Sequence, residues 1–350
     1  MDRYIGIDVH AQSCTIVVKG AKGRRLREQV VETHGECLVR AIKEIPGRLH
    51  ICLEEGTQSA WVYELLTPHA AEVVVVMAES KHGVKDDRRD AWDLAEALRV
   101  NAPLTRVYKG AGHLTALRNA VRAHRMLVAD VARAKNRLKA VLRSRGILAD
   151  DGVYNPEIRE RWLKQLSGSH RQLADYLCRE VDEIEPLREE AAEWLLKEAR
   201  THPIVRKLKT APGLGPIRTA QLVAVTATPF RFRTARQYWS YSGLAVVTHS
   251  SSDWAQVDGR WVRARAPQTL GLTRKRQPLL KAIFKGAAQT VITQLPEHPL
   301  HKKYEQMLAK GIKPNLAKLS LARQIAAIVL SMWKHQEAYD PEKHQPRTAA

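Results

Sequence analysis

Short apolar runs broken by turn residues fill the first hundred positions, and long stretches with apolar residues three and four apart fill the next hundred. YIGIDVH is a buried-strand pattern ending on Asp8. SCTIVVKGAKGRRLREQVVET adds two β-rich runs joined through Gly20 and Gly23, so the opening predicts a three-strand meander. GECLVRAIKEI is helical, and LHICLEE is a second buried strand ending on Glu54 and Glu55. SAWVYELLTPHA is helical again, and AEVVVVMAE is a continuous apolar strand. VKDDRRDAWDLAEAL closes the set as an amphipathic helix with Ala91, Leu94, Ala95 and Leu98 on one side. The order βββαβαβα predicts an α/β domain on a mixed sheet over residues 1–110.

From His113 to Gly146 the pattern is one long helix, with Leu114, Leu117, Val121, Val128, Val131, Leu138 and Val141 at three-to-four spacing. Its other faces carry Arg118, Arg122, Arg125, Arg133, Lys135, Arg137, Lys139 and Arg143. A second helical stretch starts near His170, with Leu173, Leu177, Val181 and Ile184, and Pro186 is expected to kink or split it. The pair reads as a helical hairpin or coiled-coil arm over residues 111–200. In the last segment, residues 201–335, TAPGLGPIRTAQLVAV sets Gly213 and Gly215 between two helical patterns. A turn of this kind resembles the helix-hairpin-helix motif, in which glycines let backbone amides approach a phosphate and the next helix, here opening with Arg218, points its N-terminus at it. ARQYWSYSGL fits a helix stopped by Gly243, so Tyr238, Trp239 and Tyr241 serve either base stacking or a core. Ser250, Ser251 and Ser252 mark a loop. A basic loop follows, with Arg260, Arg263, Arg265, Arg274, Lys275 and Arg276, and then two apolar helical runs. The polar stretch 336–350 reads as a mobile tail.

Charge changes the picture more than composition does. Hydrophobic and charged contents of 44% and 27% are those of an ordinary globular chain. A formal net charge of +20 and a pI near 10.0 call for a polyanionic partner, and nucleic acid is the commonest one. No apolar run is long enough to suggest a bilayer span, and MDRYIGIDVH opens directly into a strand without the pattern of a secretory leader; a membrane partner is not expected. Cys14, Cys37, Cys52 and Cys178 show no C-x-x-C spacing and are expected to be reduced thiols, Cys14 and Cys52 in the core, with no zinc site.

Against this basic background the acids of the first segment stand out. Asp8 and Glu54 end two central strands, and open α/β sheets place their sites beyond such ends. Asp87 and Asp90, three apart, share one face of the following helix. Four converging carboxylates repel one another: at ~4 Å and an effective dielectric near ~20, each pair costs about 4 kcal/mol. Bound cations or raised pKa values must relieve that repulsion, and oxygen donors suit magnesium or manganese. One or two such ions beside a phosphodiester activate the attacking oxygen and neutralise the leaving one. Taken singly, Asp86 and Asp87 also fit a helix cap and first-turn acid, and Glu55 a solvated strand end.

YIGIDVH, ICLEEGTQSAWVYELL and KDDRRDAWDLAEAL resemble the three signature blocks of the DEDD transposases of the insertion-sequence one-ten family. APGLGPIRTAQLVA, RTARQYWSYSGL and KRQPLLKAIFKGAA resemble that family's carboxyl-terminal domain. The resemblance runs from Tyr4 to about Trp333. It implies a ribonuclease-H-like (RuvC-like) α/β domain, a coiled-coil arm, and a mainly α-helical domain with a helix-hairpin-helix. It implies Asp8, Glu54, Asp87 and Asp90 as a magnesium-binding tetrad and Ser251 as a nucleophile, with Ser250 and Ser252 as alternatives because Asp253 and Trp254 interrupt the family's pattern. Glu55 stands where the family has a small residue. Phosphate contacts are expected at Arg118, Arg122, Arg125, Gly213, Gly215, Arg218, Arg260, Arg263, Arg274 and Lys275. The implied activity is DNA strand cleavage and exchange through a phosphoserine. The implied partners are double-stranded target and donor DNA, a structured bridge RNA that guides it, and further copies of the chain, a dimer assembling to a tetramer. The implied setting is the prokaryotic cytoplasm, at the nucleoid. Competing readings are a RuvC-like endonuclease or resolvase without serine chemistry, a non-catalytic nucleic-acid-binding protein, and an actin-like ATPase or sugar kinase. The last would need a Gly-rich adenosine-binding stretch that the sequence lacks.

Overall fold

A computed structural model describes residues 1–77, 86–110, 112–249, 254–263, 268–274 and 276–343. The described chain forms two compact units, Met1–His113 and Leu114–Ala350.

In the first unit, β1 (Asp2–Val9), β2 (Ser13–Gly20) and β3 (Arg25–Glu32) form the expected meander. Then come α1 (Gly35–Lys43), β4 (Arg48–Glu54), α2 (Ser59–Leu66), β5 (Glu72–Val76), α3 (Asp87–Arg99) and a short edge strand β6 (Arg106–Val107). The sheet order is β3-β2-β1-β4-β5-β6. β1, β4 and β5 run parallel, and β2, β3 and β6 pair antiparallel at the flanks, so the sheet is mixed. Strand alternation splits the core in two. Ile5, Ile7, Ile51, Leu53 and Val75 pack with Leu38, Ile42, Val62 and Leu66 of α1 and α2. Cys52, Val74 and Val76 pack on the opposite face with Leu94 and Leu98 of α3.

The tightest point of the unit is where α3 crosses β1. A Cβ on Gly6 would lie 1.8 Å from the Ala91 carbonyl oxygen and 2.8 Å from the Ala95 backbone nitrogen. Only glycine on the strand and alanine on the helix permit this approach. Toward its C-terminal end α3 is fastened to β2. Lys19, 2% exposed, pairs with Glu96, and its ammonium lies 3.6 Å from the Trp92 ring centroid. Arg99 donates two further hydrogen bonds to Glu96.

The second unit is mostly helical. α4 (Thr115–Arg143), α5 (Glu160–Leu163) and α6 (Gly168–Arg200) are followed by α7 (Pro203–Leu208), α8 (Pro216–Thr226) and α9 (Ala235–Tyr241). Strands β7 (Val246–His249), β8 (Trp254–Val257), β9 (Arg260–Arg263) and β10 (Gln268–Leu272) come next, and α10 (Pro278–Gln294), α11 (Pro299–Ala309) and α12 (Pro314–His335) complete it. α4 and α6 pack as an antiparallel hairpin, tied by Lys135–Glu185 and Arg137–Glu180 ion pairs at 2.9 and 3.0 Å. The expected break at Pro186 does not split α6, which is one helix of 33 residues. Buried Leu177 and Val181 before the proline and Ala191 and Leu195 after it, with Glu185 held by Lys135 and Arg188, hold the backbone helical through it. The base of this hairpin shares a core with the carboxyl-terminal helices: Leu117, Val121, Leu195 and Ala199 join Leu222, Phe284, Ile325 and Trp333. α12 is long and apolar enough to cross a membrane, yet Leu321, Ile325, Val329 and Met332 are buried in that core. Tyr238 is fully buried against Phe232 and Phe284, with its hydroxyl 3.1 Å from Thr226 Oγ1, which makes it a core residue and not a stacking platform. Past His335, the Tyr339 amide donates to Thr210 Oγ1 and its ring stacks on His298.

Where a basic loop was expected after Ser252, β8 and β9 pair antiparallel, and β10 pairs antiparallel with β7, which precedes Ser250 in the chain. The missed signal is Asp258-Gly259. Both residues have positive φ, 47° and 73°, as a tight two-residue hairpin turn requires.

Two outcomes follow from the α3 seam. Gly6→Ala places a methyl against backbone that cannot swing aside, so it should destabilise the chain by about 3 kcal/mol, read as a lower urea midpoint. Hydrogen bonds from Arg99 and Lys19 hold the Glu96 carboxyl down from its ordinary 4.5 to about 2. A depressed folded-state pKa contributes stability above the unfolded value and loses it as pH falls through the folded one. Glu96→Gln should therefore lower the thermal midpoint at neutral pH, and the gap to the parent should close between about pH 4.5 and about 2.

Candidate functional site

Gly6, Asp8 and His10 alternate onto the α3 side of the sheet. α3 runs antiparallel to β1, since Glu96 meets Lys19, whose partner across the strands is Tyr4. From the Gly6–Ala91 contact, Asp8 lies about 6.6 Å further along the strand. Asp87 lies one turn, about 6 Å, back along the helix. The two carboxylates therefore arrive together, and His10 closes the group. Its Nε2 is 3.0 Å from Asp8 Oδ2 and 3.3 Å from Asp87 Oδ1. Donor atoms of Asp8, His10 and Asp87 all lie within 4.8 Å of one another.

Glu54 sits one residue beyond the Ile7–Leu53 register pair of the parallel strands β1 and β4. It is thus level with Asp8, and it shares the α3 face with Cys52. Asp90 is one turn along α3 from Asp87. Burial chiefly, and then the Asp87 and Asp90 charges, push the Asp8 carboxyl above its ordinary range, against the opposing pull of His10. Neighbouring acids separate into distinct roles. Asp86 is the helix cap, its side chain accepting from the Arg88 amide at 3.0 Å. Glu55, exposed just past the end of β4, pairs with Lys109 at 2.6 Å and accepts from the buried Ser59 hydroxyl at 3.1 Å. The sequence reading passed over His10, although it stands two positions after Asp8 on the same side of the strand. The donor set of carboxylate oxygens and one imidazole nitrogen fits a small divalent cation.

In the second unit, α7 and α8 flank the turn 209–215. Gly213 has φ 72°, and a Cβ there would lie 2.2 Å from the Ala287 carbonyl oxygen, so this glycine serves packing on α10. Gly215 caps α8 with an extended backbone and has open space where a side chain would stand. Arg218 is half-buried, its Nη1 donating to the Gly213 carbonyl at 3.2 Å and to Thr290 Oγ1 at 3.0 Å, which fixes the turn against α10. Arg118 donates to the Ala224 carbonyl at 3.3 Å. Arg122, Arg125, Arg260 and Arg274 are exposed. Ser250, Ser251, Ser252, Arg265 and Lys275, and the side chain of Arg263, lie outside the described residues. The serines fall between β7 and β8, next to a hairpin that exposes Trp254 and Trp261.

Residues 5–146 match the DEDD transposase model of the IS110 group, and residues 205–305 match the model described as "Transposase IS116/IS110/IS902 family". A protein of Sinorhizobium fredii named "Putative transposase y4pF/y4sB" is 25% identical over 238 residues, 67% of this chain and 54% of that protein. The chain thus spans about half the length of the curated relative it matches. The two matched segments follow one another in chain order and together cover more than half of the sequence, the first taking in the carboxylate-bearing α/β unit and α4, the second lying within the helical unit: the chain belongs to the IS110 family of transposases.

Proposed function

We propose that this chain is a DNA recombinase of a mobile element, which cleaves and exchanges strands at a composite site of metal-binding carboxylates and a serine. The observation that carries the reading is the meeting of Asp8 and Asp87 at the end of β1, with Glu54 level with Asp8 and Asp90 close enough to raise its pKa. Asp8, Glu54, Asp87 and Asp90 are the residues that would hold magnesium or manganese on a ribonuclease-H-like sheet. When bound, the cation neutralises phosphate charge and lowers the barrier to in-line displacement.

Ser251 is the proposed nucleophile. Its Oγ forms a new bond to phosphorus as a bond of the DNA backbone breaks, and the departing strand oxygen takes up a proton as serine gives one away. Bond count is conserved, so the reverse attack by a second strand needs no nucleotide cofactor. The carboxylates of one subunit and the serine of another would form the site, so the working species is a dimer or tetramer, with the α4–α6 hairpin as the coiled-coil arm. The α7–turn–α8 segment acts as a helix-hairpin-helix, presenting amides near Gly215 to a phosphate, while Arg218 and Arg118 hold that element in shape. Arg122, Arg125, Arg260, Arg263, Arg274 and Lys275 supply backbone contacts. A bridge RNA carrying loops complementary to target and donor DNA would select the sites, and the basic surplus suits both nucleic acids.

Two measurements test this. The chain should be co-expressed with the DNA flanking its gene, and RNA surviving a high-salt column should be sequenced. One discrete structured species is expected, and only heterogeneous fragments would remove the guide. With donor and target DNA, a protein–DNA adduct stable in detergent should form, and it should be lost in both Ser251→Ala and Asp8→Asn. Hydrolysed ends without adduct would instead mark a metal-dependent endonuclease. Separately, replacing Arg122 and Arg125 together by alanine should weaken DNA binding for all sequences. It should reduce the slope of log affinity against log salt by about 1.8, two phosphates at about 0.9 each.

A further inference from the structure

We infer that His10 is a direct ligand of the bound cation through Nε2, making the centre a mixed nitrogen–oxygen site. This rests on the metal-binding reading above and adds a residue that the DEDD acids do not include.

Three observations carry it. First, His10 Nε2 faces both Asp8 and Asp87, at 3.0 and 3.3 Å. In octahedral coordination with metal–ligand distances near ~2.1 Å, neighbouring donors stand about 3.0 Å apart. His10 Nε2 thus stands from each carboxylate oxygen at the spacing of adjacent ligands on one ion. Second, the imidazole is carried by a fixed backbone. The His10 amide donates to the Ser13 carbonyl at 3.0 Å, and its own carbonyl accepts from Thr33 Oγ1 at 2.8 Å. Thr33 is in turn anchored through its amide to the Gln12 carbonyl at 2.9 Å. The β1–β2 turn thereby holds His10 where the strand alternation aims it, instead of leaving it free on the surface. Third, Asp8, His10 and Asp87 form one group whose donor atoms all lie within 4.8 Å, so a cation drawn to the two carboxylates has the imidazole within reach.

The consequence is a change of preference. Magnesium favours oxygen ligands and water, while manganese and cobalt accept imidazole readily. The centre should rank manganese and cobalt above magnesium more steeply than an all-carboxylate site would.

The test uses the full chain and Mn2+ as the probe. Pulsed electron paramagnetic resonance should show a directly coordinated nitrogen, whose coupling changes on labelling histidine with 15N and disappears in His10→Gln. Mn2+ affinity, from the free-ion signal, should fall at least about tenfold in His10→Gln, and circular dichroism should show that variant folded. Thr33→Val, which frees the turn without touching a ligand, should weaken Mn2+ binding less and keep the nitrogen coupling. If Mn2+ binds the parent and His10→Gln equally, with no nitrogen coupling, His10 only hydrogen-bonds the carboxylates and the inference is overturned while the carboxylate site stands. If Asp8→Asn binds Mn2+ as the parent does, or the parent does not bind it, the underlying metal reading fails and takes this inference with it.

Discussion

The site depends on backbone meeting backbone. α3 lies against β1 without a side chain between them, because residue 6 is glycine and the facing residues are Ala91 and Ala95. Polar groups then find their places by geometry alone. Two residues along the strand and one turn along the helix bring Asp8 and Asp87 together. A bulkier seam would lift the helix off the sheet and separate the carboxylates, however favourable each might be as a ligand. The Lys19–Glu96–Arg99 cluster and the Trp92 ring fasten the other end of the same helix, so α3 is held at both ends and cannot slide along β1.

Much of this was legible from residue patterns, and what was not has physical reasons. The βββαβαβα succession, the mixed sheet and the acids at strand ends follow from short apolar runs bounded by turn residues. The α4–α6 pairing followed from apolar spacing. Pro186 misled because local propensity was set against an interhelical face whose buried residues continue on both sides of it. The strands on either side of the serines are hidden by their exposure: β7 and β10 bury almost nothing, so the apolar alternation that betrays a strand is missing, and only the β8–β9 hairpin carries a turn signal, Asp258-Gly259. Arg218 shows a third kind of limit. Its charge suggested a phosphate contact, but a guanidinium one turn into a helix reaches the preceding glycine turn just as easily.

His10 gives no signal along the sequence; its meaning lies on the sheet. Asp8 and His10 are separated by one residue, which is the spacing of neighbours on one face of a strand. Asp8 also drew notice as an interruption of an apolar run, whereas His10 follows the run and resembles any turn residue. Its placement becomes informative only when the helix bearing Asp87 is laid across it.

Why a strongly basic chain gathers carboxylates at the start of a helix then has an electrostatic answer. The first turn of α3 offers unpaired amides and the positive end of the helix dipole, worth a few tenths to about 1 kcal/mol for each nearby anion. Asp86 uses one amide as its cap. Asp87 and Asp90 lie in the same turn, where the dipole favours negative charge, which offsets part of their mutual repulsion. Burial chiefly, with smaller contributions from the Asp87 and Asp90 charges, still raises the Asp8 pKa. The remaining negative charge would favour a cation there. Because the helix seam rests on Gly6, the proposed ligands are already gathered, and little of the binding energy would be spent on moving them.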